Sequence, residues 1–266
     1  MTREILLEQR DGIALVTIDR PQVRNALTIA MCRELIDLFE RLATDADARV
    51  VVLRGSGGHF CSGADLRDAP FSLPADAAAR GQTMAEQVRT LSWPLFLALG
   101  RLPQPVIASV AGHAVGAGAQ FALSADLVVA GRSAKFTIPQ VNLGHSADHG
   151  ESWYLPRKVG AARAMQILLL GEALPADDAE RYGLVNWVVD DPALEERTLE
   201  IASRLARGAT TALRETKALV QRSLGSSLQE QLEAEARAVG RCAATSDFVE
   251  AIDAFMGKRA PAFTGR

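Results

Sequence analysis

The sequence holds three cysteines, Cys32, Cys61 and Cys242, an odd count with no paired spacing. That excludes a disulfide framework and points to a reducing compartment, hence to a cytoplasmic protein. Blocks of like charge are also missing. Lys+Arg number 29 against Asp+Glu 32, a net charge of −3, which argues against nucleic-acid or membrane-surface partners. There is no long aliphatic run. The first ten residues carry Arg3, Glu4 and Glu8 and do not read as a signal peptide. The uncharged stretch 105–125 includes Gly112, His113, Gly116, Gly118 and Gln120. It is too broken for a membrane span and reads as a buried strand, turn and helix. A hydrophobic share of 48% with 23% charged residues excludes a disordered or collagen-like chain. No fixed-period repeat is visible.

What is present alternates between short strands and helices. Apolar runs at 5–7 and 13–18 flank Arg10-Asp11-Gly12, a hairpin signal. Thr28 is placed to cap a helix whose Met31, Leu35, Leu38 and Leu42 recur at helical spacing. Buried strands are expected at 50–53, 106–110 and 127–130, and a helix at 119–125. The pattern predicts an α/β core with parallel strands over residues 1–192. Beyond it, 193–266 predicts helices alone, at 193–207, 211–224, 228–244 and 246–256. The Ala- and Pro-rich stretch 70–80 reads as a mobile loop.

Generic catalytic motifs fail. Gly116-Ala117-Gly118 has Phe121 where a dinucleotide fingerprint needs its third glycine. Neither a phosphate loop nor a Gly-x-Ser-x-Gly elbow occurs. The densest polar cluster is His145-Ser146-Ala147-Asp148-His149-Gly150-Glu151. Its histidine spacing imitates an inverted zinc motif, but Gly144 and Gly150 interrupt the helix such a site needs, so no metal is expected. The plain reading is a polar loop with Asp148 capping the next helix.

Several separated stretches, in order, resemble the crotonase (enoyl-CoA hydratase/isomerase) superfamily. They are Thr17-Ile18-Asp19-Arg20-Pro21 with Arg24-Asn25-Ala26-Leu27, Phe60-Cys61-Ser62-Gly63-Ala64-Asp65-Leu66, Val110-Ala111-Gly112-His113-Ala114-Val115-Gly116-Ala117-Gly118 and Phe136-Thr137-Ile138-Pro139-Gln140-Val141-Asn142-Leu143-Gly144. Leu155-Pro156-Arg157, Ala179-Glu180-Arg181-Tyr182-Gly183-Leu184-Val185-Asn186 and Lys258-Arg259 complete the set.

The resemblance implies a spiral of strand-strand-helix units with a C-terminal helical region that packs homotrimers or dimers of trimers. It implies an acyl-CoA substrate, with coenzyme A part of that substrate and no separate cofactor. It implies an oxyanion hole from the backbone N–H groups of Ala64 and Ala117, which would hold the thioester oxygen as it becomes an enolate. CoA-contacting positions would be Arg24, Ala26, Ser62, Ala64, Asp65, Leu66 and Arg67. Lys258 would reach a neighbouring subunit's CoA.

The family's hydratases use two glutamates on the reacting water, and those positions here are Gln120 and Gln140. An amide accepts no proton near neutral pH, so efficient hydration is not expected. Asp148, eight residues past Gln140, matches the catalytic aspartate of the dienoyl-CoA isomerase branch. One carboxylate suffices to take a proton from one carbon and return it to another. Phe136, Val141, Leu143 and Trp153 are expected to wall its pocket, with 68–82 and 93–99 shaping the acyl end. Two alternatives stand beside isomerisation. One is a hydrolase of the same fold using His145, Asp148 and His149, and the other is a catalytically silent CoA-binding protein.

Overall fold

The computed structural model describes residues 3–68 and 75–265. Strands β1 (Ile5–Arg10) and β2 (Ile13–Ile18) pair antiparallel. Asp11 and Gly12 join them with φ of 53° and 79°, the positive-φ hairpin turn that Asp-Gly adopts at little cost. Helix α1 (Ile29–Thr44) begins at the expected cap, where the Thr28 hydroxyl accepts the Met31 N–H at 3.1 Å. Its buried stripe includes Met31, Leu35, Leu38, Phe39 and Leu42.

Strands β3 (Val50–Gly55), β4 (Val106–Val110), β6 (Leu127–Gly131) and β9 (Trp187–Val189) add to β2 in parallel, giving the order β1-β2-β3-β4-β6-β9. A second sheet runs β5 (His113–Val115), β7 (Lys135–Thr137), β8 (Leu174–Pro175). The parallel strands are covered on both faces, hence their unbroken apolar runs. Val51, Leu53, Ala108, Val110, Val128 and Ala130 join the core that includes α1, α3 (Trp93–Gly100) and α4 (Ala117–Ser124). Their neighbours Val50, Val52, Ile107 and Val129 point the other way, onto Leu194, Ile201 and Ala202 of α7 (Leu194–Ala206). Burying a Val, Leu or Ile side chain is worth roughly 1.5–3 kcal/mol, so α7 belongs to the core of the sheet.

Part of the expected 70–80 loop, residues 70–74, lies outside the described residues, but 77–80 are helical. The Asp76 carboxylate accepts the Ala79 N–H at 2.8 Å and opens α2 (Ala77–Gln87). A π-helical turn, Val88–Ser92, carries α2 into α3. Pro94 at the start of α3 has no N–H for the preceding turn, and the wider turn absorbs that gap.

Helix α5 (Glu151–Leu170) and the short α6 (Ala176–Arg181) precede α7, and α8 (Thr210–Ser223), α9 (Leu228–Ala243) and α10 (Ser246–Met256) follow it. The last four helices fall within about one residue of the pattern read from the sequence. The Lys217 ammonium ties α8 to the core, 2.7 Å from Asp126 and 2.8 Å from the Gln104 carbonyl. Val220, Leu224, Leu228, Leu232, Val249 and Phe255 stay exposed on α8–α10. Among the described residues no helix is long and apolar enough to cross a membrane.

Candidate active site

Three segments far apart in sequence lie side by side. Residues 24–27 and 62–65 are zipped in parallel. The Ser62 N–H donates to the Arg24 carbonyl at 3.0 Å, Leu27 N–H to Gly63 at 2.8 Å, and Asp65 N–H to Leu27 at 2.8 Å. On the other flank, Cys61 N–H donates to the His113 carbonyl at 3.0 Å and Val115 N–H to Cys61 at 2.9 Å. Asn25 locks the first seam from inside. It is fully buried with φ 60°. Its side-chain oxygen accepts the Arg20 N–H at 2.9 Å, and its amide donates to Ser56 and His59 carbonyls at 2.9 and 2.7 Å.

This zipper decides where two N–H groups point. Gly63 and Asp65 make the bonds to Leu27, so the N–H of Ala64 between them faces away, towards 113–117. Neither it nor the N–H of Ala117, first residue of α4, has a hydrogen-bond partner among the described residues. A Cβ added to Gly63 (φ 90°) would sit 2.8 Å from the Val115 carbonyl oxygen and 3.7 Å from the Ala117 nitrogen. A Cβ on Gly118 would sit 2.1 Å from the Cys61 carbonyl oxygen. Bare backbone is what lets the two turns close on one another. Free donors at the N-terminus of a buried helix suit developing negative charge. Burial pushes the nearby Cys32 and Cys61 thiols up to about 12, which keeps them protonated near neutral pH.

The second half of the site is residues 140–151. Gly150, with φ 101°, turns the chain into α5. Glu151 follows, fully buried. Its Oε2 accepts the N–H groups of Asp148 and His149 at 3.2 and 2.9 Å, and its Oε1 accepts from Gln140 Nε2 at 2.7 Å. The same Gln140 nitrogen donates to Asp148 Oδ1 at 3.1 Å, and His149 Nε2 lies 3.5 Å from that oxygen. Asp148 Oδ2 has no partner among the described residues. Gln120 donates to Ser124 Oγ at 2.9 Å. The Tyr154 phenol is pushed up by burial. The Oε1 atoms of Gln120 and Gln140 and Nδ1 of His149 are buried without a partner.

Three expectations for this loop need correcting. Asp148 does not cap α5, because Gly150 holds the cap and Glu151 collects the loop's N–H groups. His145 stands outside the cluster, exposed, its Nδ1 2.9 Å from the Ser146 carbonyl. A His145–Asp148–His149 trio is therefore not assembled. Of the four expected wall residues Phe136 is buried, while Val141, Leu143 and Trp153 are exposed. Trp153 lies two positions after Glu151, on the opposite face of α5, with Arg157 4.0 Å over its ring. The aromatic ring against His149 is that of Phe96, 5.4 Å away, itself 5.2 Å from Phe121. The metal-like group Asp148, His149 and Glu151 offers atoms within 4.8 Å of one another. Both Glu151 oxygens, however, already accept N–H donors.

The CoA-contacting candidates Arg24, Ala26, Ser62, Ala64, Asp65, Leu66 and Arg67 share one rim. Arg24 is exposed with φ 52°, and Leu66 is exposed as well. The Arg67 guanidinium lies 3.2 Å from Asp65, which also pairs with Arg20 at 3.2 Å. The Arg67 backbone N–H, then its side chain, hold the Asp65 carboxyl below the usual range. Lys258, exposed at φ 50°, makes no described contact with this rim. Sequence reading missed Glu151 and Asn25 as site builders and included Phe96 only within the segment 93–99. An acid directly after a glycine at a helix start was the available sign for Glu151.

A parallel-stranded spiral whose loops leave two backbone donors free, with a carboxylate cluster at the start of α5, defines an α/β fold of the crotonase type. The enoyl-CoA hydratase/isomerase family model matches residues 8–266. The chain is 41% identical over 262 residues to a protein named probable enoyl-CoA hydratase from Rhodobacter capsulatus, covering 98% of each chain. It is 36% identical over 269 residues to the 1,2-epoxyphenylacetyl-CoA isomerase of Escherichia coli, covering all of both. The solved enoyl-CoA hydratase of Bacillus anthracis superposes with a TM-score of 0.90 at 29% identity, over 99% of this chain and 100% of that one. The chain belongs to the enoyl-CoA hydratase/isomerase family of the crotonase superfamily. It is an acyl-CoA enzyme of that type.

Proposed function

We propose that the protein is a double-bond isomerase of acyl-CoA thioesters, with Asp148 as the proton-transferring base. The observation that carries this reading is the contrast between positions 120 and 140, both buried amides, and Asp148, a carboxylate with one unengaged oxygen. The thioester oxygen sits between the N–H groups of Ala64 and Ala117. Asp148 takes a proton from C2 of a Δ3-enoyl thioester, and the C–H electron pair becomes a dienolate with its charge on that oxygen. The same proton returns to C4, leaving the conjugated Δ2 product with no atom gained or lost. Arg24 and Arg67 face the CoA phosphates. The exposed apolar faces of α8–α10 pack against further copies of the chain in a trimer or dimer of trimers, which places Lys258 at a neighbour's rim. In this reading 1–192 together with α7, which covers the sheet, form the catalytic core, and the helices after α7 form the assembly region. Coenzyme A enters only as part of the substrate.

A positioned base contributes roughly 10²–10⁴ in rate. The test gives purified protein crotonyl-CoA in one cuvette and a Δ3-enoyl-CoA in another, followed in the ultraviolet. Conjugation should appear from the Δ3 substrate, and Asp148→Asn should slow it by about 10²–10⁴-fold. Loss of the crotonyl signal by hydration, or an Asp148→Asn enzyme as fast as wild type, refutes the proposal. Release of free CoA thiol would instead favour hydrolysis.

A further inference from the structure

We infer that Glu151 and Gln140 are the positioning residues of this site, a strut that holds Asp148 Oδ1 and leaves Oδ2 as the working oxygen. The inference rests on the reading of Asp148 as the base. Glu151 is fully buried at the first position of α5 and accepts three N–H groups, from Gln140, Asp148 and His149. Hydrogen bonds to a charged acceptor are among the stronger ones in proteins, and a helix N-terminus favours the negative charge. The carboxylate therefore pins the backbone of the residue that does the chemistry.

It also orients Gln140. Glu151 Oε1 and Asp148 Oδ1 lie 2.7 and 3.1 Å from the same amide nitrogen. Both oxygens belong to carboxylates, which when ionised can accept but not donate, so the amide must turn its two N–H bonds towards them and its oxygen away. One N–H serves each carboxylate. The His149 ring approaches Oδ1 as well, so every described partner of the Asp148 side chain sits on that oxygen. Gln140 is thus a required donor in this arrangement. A glutamate there would put a third acceptor against two others and drive Asp148 to hold a proton.

The test compares Glu151→Gln, the swapped double variant Glu151→Gln/Gln140→Glu, and Asp148→Asn, by steady-state kinetics on the Δ3-enoyl thioester and by thermal melting. Glu151→Gln should lower kcat about 10²-fold with KM within about threefold, as expected for a base displaced by about 1 Å. The swapped pair restores a donor–acceptor match between 140 and 151. Melting temperature should recover, kcat should stay low, and the acid limb of the kcat profile should move to higher pH. Wild-type kcat in Glu151→Gln, or full recovery of kcat in the swapped pair, overturns the strut. If Glu151→Gln yields no folded protein, Gln140→Met, which leaves the Glu151–loop bonds intact, decides in the same way: lost kcat at constant KM supports the strut and unchanged kcat overturns it. An unaffected Asp148→Asn enzyme overturns the choice of base instead, so the two failures are distinguishable.

Discussion

Gly118→Ala adds one methyl group at the point where the two donor turns meet. The new Cβ would lie 2.1 Å from the Cys61 carbonyl oxygen, 2.8 Å from its carbon and 2.9 Å from the Cys61 Cβ. All but the last of these atoms are backbone, and the backbone here is tied down by Val115 N–H on Cys61 and by Cys61 N–H on His113. No side-chain rotation relieves the contact. To reach even the short limit of normal packing, the start of α4 must retreat by about 1 Å from Cys61, carrying the Ala117 N–H away from that of Ala64. A misplacement of that size in a reacting constellation costs about 10²-fold in rate, equivalent to about 2.7 kcal/mol of barrier. Overpacking a rigid core adds about 1–3 kcal/mol of lost stability. The assay is kcat on the Δ3-enoyl thioester, with urea unfolding on the same preparations. The expected result is a kcat lowered about 10²-fold in a protein still folded at 25 °C. A Gly118→Ala enzyme with kcat within about threefold of wild type would show that the separation of these N–H groups does not control the reaction.

Two further outcomes concern the scaffold. Asn25→Ala removes four hydrogen bonds from a fully buried side chain and leaves a part-buried Arg20 N–H and two carbonyls unpaired. Each unmet group costs about 1–3 kcal/mol, so urea unfolding should show a loss of at least about 2 kcal/mol, and a loss below about 1 kcal/mol would refute the seam's role. The C-terminal segment is tested by pH. Arg259 first, then the Ala262 N–H, hold the Glu250 carboxyl at about 2, below its ordinary 4.5. A lowered carboxylate contributes its stabilisation fully above 4.5 and loses it as pH falls towards about 2. Amide exchange at Ala262, corrected for the intrinsic rate, should lose protection across that window, and Glu250→Gln should lack it at every pH.

The hairpin at Asp11-Gly12, the Thr28 cap and the four C-terminal helices were legible because each is a local affair of turn chemistry, capping or 3.6-residue periodicity. The start of α2 was misread. Alanines and a proline resembled a loop, although Asp76 caps a helix there. The loop before α5 was legible only as a cluster of polar residues. Nothing in the order His145 to Glu151 says that the first histidine faces solvent, that Trp153 turns outward, or that the last acid collects the N–H groups of the aspartate before it.

By itself the sequence determined the family, the glycines that permit close backbone approach, the amides at 120 and 140, and the carboxylate at 148. These are matters of residue type at a position. Only the tertiary structure decided which groups meet. The parallel zipper between 24–27 and 62–65 turns the Ala64 N–H towards Ala117, 53 residues away. The burial of Glu151 against Gln140 turns a polar loop into a fixed mount for Asp148. The physical reason is that hydrogen-bond direction and burial belong to pairs of segments, and those pairs exist only once the chain has folded back on itself.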